Sequence, residues 1–427
     1  MIARRSTELG LIILAALVIA GAYALAALGR TASLPANIGP FLAVILGLLG
    51  VAHLATRRLV PNADGILLPI AGLLNGIGYV FIARLNDRLA GLQATWSALG
   101  VGAFIATLLV VRRARDLERY RYTFALVGIG LLLLPLVPVV GREVNGARIW
   151  ARLGPVSFQP GEMAKLALAV FFAAYLVERR ELLSMATFRV GGLLLPDPKH
   201  FGPLLGAWGF SLVVITFEKD LGSSLLFFAL FVAMLWVATG RGFYLGLGGG
   251  LFAAGAVAAW ATFAHVQQRV DIWLDPWADA SGSGFQIVQG LFAFGSGGVA
   301  GTGISLGSPG RIPAATTDFI FAVIGEELGL LGTTAVLIAF LLMVGSGLRI
   351  ALAAQGDFEK LLAAGLTTIL GFQTFIILAG VTRLVPLTGI TLPFVSYGGS
   401  SLVANYVLLA LLLRISHDTA TRREAAR

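Results

Sequence analysis

Three carboxylates stand in a run that otherwise reads as a membrane helix: Thr317-Asp318-Phe319-Ile320-Phe321, then Glu326-Glu327-Leu328-Gly329. A carboxylate in or beside hydrocarbon costs several kcal/mol, so it is kept where it has a partner or a task. A polar, glycine-rich segment leads into the run, with Asp275-Pro276-Trp277, Gly295-Ser296-Gly297-Gly298 and Gly301-Thr302-Gly303. Asp318 falls where loop becomes helix, and two readings are open. One is a first-turn acid complementing the helix dipole, with Thr316 or Thr317 as cap. The other is a general base within reach of a lipid headgroup. In a continuous helix, Glu326 and Glu327 lie about 12 to 14 Å deeper. They point about 100° apart, so at least one faces the bundle interior. Glu327 reads as a structural partner of a neighbouring arginine; Glu326 either does the same or lines a cavity with Asp318.

Positive charge is available to such acids. Arg148, Arg152, Lys165, Lys219, Arg269, Arg311 and Arg383 fall in segments that the topology below places on one side. As a set they suit a phosphate or pyrophosphate at the lipid–water boundary. Singly, each pairs as readily with Glu143, Glu162, Asp220, Asp271 or Asp275, or contacts anionic lipid. Trp150, Trp273 and Trp277 read as interfacial anchors, with stacking on a sugar as the other reading. The Gly/Ser-rich stretch Ser281–Gly310 is either a flexible linker or, given its apolar insert Phe285–Phe294, a carrier of a re-entrant or interfacial helix. The four histidines, His53, His200, His265 and His417, are scattered, which argues against a histidine metal site. With no cysteine, disulfides and thiolate metal sites are excluded.

The elements that must position these residues follow from composition. The chain of 427 residues is 57% hydrophobic and 12% charged, more apolar surface than a soluble fold of this size can hide. Twelve apolar spans are expected: Leu9–Leu28, Pro40–Ala55, Ile66–Ile82, Thr95–Val111, Tyr122–Val140, Met163–Val177, Pro203–Phe217, Gly222–Ala238, Phe243–Phe263, Phe319–Leu341, Leu361–Val381 and Ser401–Leu413. Backbone in lipid must satisfy its own hydrogen bonds, so the fold class is an all-α polytopic bundle with a long loop before the tenth span. Period-two strands are absent, against an outer-membrane barrel. Leu9–Leu28 reads as a retained first helix, since no small-residue cleavage site follows it. Net charge +9 reflects arginines in short loops rather than nucleic-acid binding. Arg57, Arg58, Arg112, Arg113, Arg115, Arg119, Arg121, Arg179, Arg180, Arg189, Lys199, Arg241, Arg349, Lys360 and both basic tails share one side if the termini are cytoplasmic. Three outward segments, 141–165, 265–318 and 382–400, carry charges that topology does not require.

The motifs resemble those of the SEDS proteins, the RodA/FtsW/SpoVE group of bacterial cell-wall polymerases. The matching blocks are Gly146-Ala147-Arg148-Ile149-Trp150 with Leu153-Gly154, and Phe158-Gln159-Pro160-Gly161-Glu162-Met163-Ala164-Lys165. They continue with Glu218-Lys219-Asp220-Leu221-Gly222, and with Arg269, Leu274-Asp275-Pro276-Trp277, Gln286, Gln289, Gly303 and Pro313. The last are Thr317-Asp318-Phe319-Ile320-Phe321 with Glu326-Glu327-Leu328-Gly329, and Pro386-Leu387-Thr388-Gly389-Ile390 running on to Ser401. The resemblance covers roughly Gly141 to His417 and is similar to the RodA-like branch. Ile149 stands where the family usually has arginine, Gly161 replaces serine, and Glu218-Lys219 replaces Gln-Pro.

The resemblance implies glycosyl transfer: polymerisation of lipid II into β-1,4 glycan with release of undecaprenyl pyrophosphate, in cell elongation and shape. It implies Asp318 as catalytic base. It implies Arg148, Trp150, Glu162, Lys165, Asp220, Arg269, Asp275, Gln289, Glu326, Arg383, Ser396 and Ser400 around the substrate, and a divalent cation, Mg or Mn, as a candidate helper. A class B penicillin-binding protein, the monofunctional transpeptidase, and the elongation or division machinery are the implied partners, in a bacterial plasma membrane. The division expected is residues 1–120 as N-terminal helices, two of them extra to the family, 121–417 as the SEDS core, and 418–427 as a cytoplasmic tail. A lipid II flippase and a non-catalytic scaffold for a transpeptidase are the competing readings. A flippase needs polar residues through the bundle, whereas the candidate charges lie at one side.

Overall fold

The computed structural model describes residues 2–31, 38–144, 147–154, 156–184, 186–190, 193–196 and 201–426. Gly146, Lys199 and His200, named above, lie outside the described residues. Each of the twelve expected spans carries a helix. In order these are α1 (Ile2–Thr31), α2 (Ile38–Leu59), α3 (Leu67–Leu85), α4 (Asp87–Val110), α5 (Arg121–Leu133), α6 (Gly161–Ser184), α7 (Gly202–Glu218), α8 (Leu221–Thr239) and α9 (Phe243–Thr262). Two helices then occupy the long segment, α10 (Ala264–Leu274) and α11 (Phe285–Gly297), before α12 (Ile320–Ala353), α13 (Asp357–Val381) and α14 (Gly399–Ala425). Among the described residues 9 helices are long and apolar enough to cross a membrane. The protein is a multi-pass membrane protein. The other three expected spans fall short for separate reasons. α5 stops at 13 residues, α7 at 17, and α6 carries charge at both ends, from Glu162 and Lys165 to Arg180 and Glu181.

Two corrections to the sequence reading follow. Short strands are present after all: β1 (Gly141–Val144), β2 (Ala147–Leu153) and β3 (Val156–Phe158) form an antiparallel sheet, and β4 (Ala186–Val190) pairs with β5 (Leu193–Pro196). They lie in loops on either side of α6, and three to seven residues are too few for alternation to stand out. The second correction concerns α12. Gly329 has φ 65° and ψ −163° inside it, a conformation essentially confined to glycine. A Cβ there would also lie 2.3 Å from the Gly301 nitrogen.

The span expected over Phe319–Leu341 is therefore two pieces, a buried half-helix 320–328 and a segment 330–353. The second piece is about 36 Å long at 1.5 Å per residue, enough to cross a bilayer core by itself. Glu326 and Glu327 thus lie at a helix break, not within a spanning helix as expected. Main-chain groups freed by the break are satisfied by the 298–303 loop. Thr302 N donates to Glu326 O at 2.9 Å and Gly303 N to Glu327 O at 3.0 Å; Leu330 N and Leu331 N donate to Gly298 O (2.9 Å) and Val299 O (3.1 Å). Irregular backbone at membrane depth is tolerated when it is buried in protein and paired in this way.

α14 packs along α4, α12 along α13, α5 along α6 and α1 along α3. The core between them is apolar, with Phe231, Phe319, Phe340 and Phe394 fully buried. The helix foreseen within Ser281–Gly310 is α11.

Candidate active site

The three segments with unexplained charge meet at one end of the bundle. Gln159 N donates to Ser400 Oγ at 2.9 Å, Arg269 Nη1 to Leu387 O at 2.7 Å, and Tyr397 N to Thr316 O at 2.8 Å. Asp318 sits in their midst, half-buried. It is not a first-turn acid, because the half-helix begins at Ile320 with no side-chain cap, and the Thr317 hydroxyl turns back to Ala314 O at 3.3 Å. The dipole-complement reading is thereby weakened.

Gly389, at φ 76°, shows what surrounds the carboxyl. A Cβ on it would lie 4.0 Å from both guanidinium nitrogens of Arg269 and 4.0 Å from Asp318 Oδ2. Acid and cation therefore both border the small space that the missing side chain leaves open. Burial raises the Asp318 pKa to about 6, against the pull of the Arg269 charge and the Thr317 hydroxyl. A carboxyl titrating there is ionised at neutral pH yet basic enough to accept a proton.

Arg269 feels a second carboxylate, Asp220. Asp220 caps α8, accepting from Ser223 N at 3.0 Å and Ser223 Oγ at 2.6 Å; burial raises its pKa, opposed first by those bonds. Beside it the buried Thr388 Oγ1 has no partner, and a Cβ on Gly222 would lie 3.3 Å from Thr388 Cβ and 3.4 Å from Asp220 Oδ1. Loop 386–391 thus lies between the two acids. Thr388 and Gly389 were quoted as motif but not expected as site residues; nothing in their types marks them, and only the fold puts them in the gap.

The other expected residues are distributed differently. Ser396 donates to Thr317 O at 2.6 Å and accepts from Leu392 N at 2.9 Å, so it holds backbone next to Asp318. Lys165 is buried, bonded to Glu162 at 2.6 Å and Gln373 at 2.7 Å; Gln373 in turn donates to Thr391 O at 2.9 Å. Arg383, expected among the free cations, is instead spent on the C-terminus of α10, bonding Trp273 O at 2.8 Å and Leu274 O. Arg148 is exposed and pairs with Glu143 at 3.3 Å, and Arg152 bonds Gly154 O at 2.9 Å. Four of the seven expected cations are thus engaged elsewhere, and the charge that acts on Asp318 is that of Arg269. Trp150 lies opposite Arg142 across β1 and β2. Asp275 is exposed and accepts from Trp277 N at 3.1 Å, while Gln289 is half-buried on α11.

Glu327 has the arginine foreseen for it. Arg84 Nη2 lies 2.6 Å from its Oε1, with side-chain exposures of 10% and 0%. That contact is electrostatic rather than a well-aligned hydrogen bond, since Oε1 has no hydrogen-bond donor. Glu326 accepts from Ser308 N at 2.8 Å and is held by the loop at the break, with no contact to Asp318 among its hydrogen bonds.

For a divalent cation the residues present do not make a cage. No group of three or more metal-ligating side chains occurs among the described residues, and the cation in range of both acids is Arg269. The donor set does not fit a resident ion.

Among the described residues, five that are not glycine take left-handed backbone conformations: Lys219, Ser305, Ala314, Arg383 and Phe394. All five lie in the loops just described. Each such residue costs on the order of 1–2 kcal/mol, and strain of this kind concentrates at functional sites.

Comparison with known proteins identifies the family. Residues 80–421 match the family FTSW_RODA_SPOVE, cell cycle protein. The chain is 46% identical over 425 residues to peptidoglycan glycosyltransferase RodA of Mycobacterium tuberculosis (strain ATCC 25618 / H37Rv), covering 97% of this chain and 91% of that protein. It is 35% identical over 385 residues to a probable peptidoglycan glycosyltransferase FtsW of Nitrosococcus halophilus (strain Nc4), covering 86% and 95%. A solved chain from a study of how a peptidoglycan synthase complex coordinates polymerization and crosslinking aligns with TM-score 0.67 at 30% identity, over 83% of this chain and 98% of that one. A mutant rod shape determining protein RodA from Thermus thermophilus aligns at TM-score 0.59 and 27% identity, again over 83% and 98%. The chain belongs to the FtsW/RodA/SpoVE family of cell cycle proteins.

Proposed function

We propose that this protein is a peptidoglycan glycosyltransferase that polymerises lipid II into β-1,4 glycan strands, with Asp318 as general base. The family and its relatives named as glycosyltransferases support the activity. The observation that carries the residue assignment is the space at Gly389, where a Cβ would lie 4.0 Å from the Asp318 carboxyl and 4.0 Å from the Arg269 guanidinium. The acceptor sugar hydroxyl gives its proton to Asp318 as its oxygen bonds to the donor's anomeric carbon. The bond from that carbon to the diphosphate oxygen breaks, and the leaving undecaprenyl pyrophosphate takes the electron pair. Arg269 faces the charge that develops there, where a preorganised donor is most effective. A single displacement of this kind inverts the anomeric configuration.

The arginine bias supports cytoplasmic termini, with this end of the bundle on the extracytoplasmic side of a bacterial plasma membrane. The solved relative from a polymerization and crosslinking complex supports a partner transpeptidase, of the class B penicillin-binding type, within the elongation or division machinery.

The test is purified protein with lipid II, wild type against Asp318→Asn. Removing a general base costs on the order of 100- to 10,000-fold. Loss of polymer in a folded variant supports the reading; polymer at the wild-type rate from the variant overturns Asp318 as the base, and no polymer from the wild type would leave a flippase or scaffold.

A further inference from the structure

The half-helix 320–328 starts two residues after Asp318 and ends at the Gly329 break, so whatever fixes its far end sets where the catalytic carboxyl lies. That far end is held by one loop, 298–308. Besides the four main-chain bonds at the break, Ser305 N donates to Glu327 Oε2 at 2.9 Å, Ser308 N to Glu326 Oε1 at 2.8 Å, and Thr302 Oγ1 to Glu326 O at 3.0 Å. The loop is anchored in turn to helices far away in sequence. Arg84, at the end of α3, bonds Gly307 O at 3.1 Å as well as pairing with Glu327. Ser305 Oγ donates to Ala26 O of α1 at 2.9 Å. At Gly29, one turn further along α1, a Cβ would lie 2.5 Å from Ile304 O. Helix α1 lies wholly before residue 80, where the family match begins.

We infer that Arg84 is a positioning residue for Asp318, and that α1 and α3 together brace the 298–308 loop against the broken end of the half-helix. The inference rests on Asp318 being the base. Arg84 touches no substrate; it acts through Glu327 and Gly307. The brace also gives the first helix a task, which its sequence alone does not suggest.

The experiment compares Arg84→Ala, Arg84→Lys and the double variant Arg84→Ala with Glu327→Gln, measuring kcat, KM for lipid II, the acid limb of the pH profile and Tm in detergent. Arg84→Ala alone leaves a buried carboxylate unpaired, so it lowers Tm. The double variant removes that unpaired charge and restores Tm. If Arg84 positions the base, kcat in the double variant stays down by on the order of 10- to 100-fold, the effect of a small misplacement. KM stays near wild type, the acid limb shifts, and Arg84→Lys recovers part of kcat. If kcat returns with Tm in the double variant, Arg84 is merely structural and the inference fails. Gly29→Val, which pushes the loop from the α1 side, lowers kcat without raising KM; wild-type kcat in that variant removes α1 from the brace. Asp318→Asn is run alongside. Full activity there overturns the base assignment itself, whereas an inactive Asp318→Asn beside a fully active Arg84 double variant overturns the brace alone.

Discussion

Ser396 Oγ donates to Thr317 O at 2.6 Å, and thereby ties the 386–398 loop to the peptide unit immediately before Asp318. The same oxygen accepts from Leu392 N, so one hydroxyl closes its own loop and holds its neighbour. These bonds suit Ser396 to supporting Asp318, the proposed base.

Ser396→Ala leaves a buried amide and a carbonyl without partners. We expect a stability loss of about 1–3 kcal/mol, read as a lower Tm in detergent. In polymerisation assays kcat falls while KM for lipid II holds. A rise in KM with kcat unchanged would return Ser396 to the substrate.

The Asp318 carboxyl, raised to about 6 by burial, must be ionised to accept a proton. Activity therefore falls as pH drops through about 6. Arg269 opposes that rise, so Arg269→Gln moves the acid limb to higher pH and also slows turnover at the plateau by removing charge from the leaving diphosphate. A pH–rate profile of both proteins, with Arg269→Lys as the charge-preserving control, decides it. An acid limb that Arg269→Gln leaves in place would separate the two groups.

Arg383→Ala uncaps the last carbonyls of α10, the helix that carries Arg269. Loss of charge-assisted bonds to a helix end costs about 1–3 kcal/mol. Hydrogen exchange over residues 264–274 should rise in that variant, and activity should fall with it. Unchanged exchange there would mean that Arg383 is not what fastens the helix.

Metal analysis of the purified protein should find no stoichiometric divalent ion, since the side chains around Asp318 do not assemble a cage. Magnesium is usually held by one or two carboxylates together with substrate phosphates, so any stimulation by added Mg or Mn should appear with the diphosphate substrate present. One tightly held ion per chain, surviving dialysis against chelator, would contradict this.

The apolar runs determined the helices, because lipid leaves backbone no other way to bond, and all twelve expected positions carry one. The carboxylates at 318, 326 and 327 were conspicuous for the same reason: charge in an apolar run stands out. What the run could not disclose was the break at Gly329. A glycine before Leu330 is compatible with an unbroken helix, and the choice is made by the 298–303 loop, which supplies the main-chain partners. Likewise seven cations on one side looked equivalent in sequence. Which of them reaches Asp318 depends on packing: Arg383 is consumed by α10, Lys165 by Glu162 and Gln373, and Arg269 is left facing the gap at Gly389. Sequence determines where charge is affordable along a chain, but pairing is a contest between partners tens to hundreds of residues apart, and only the folded bundle settles that contest.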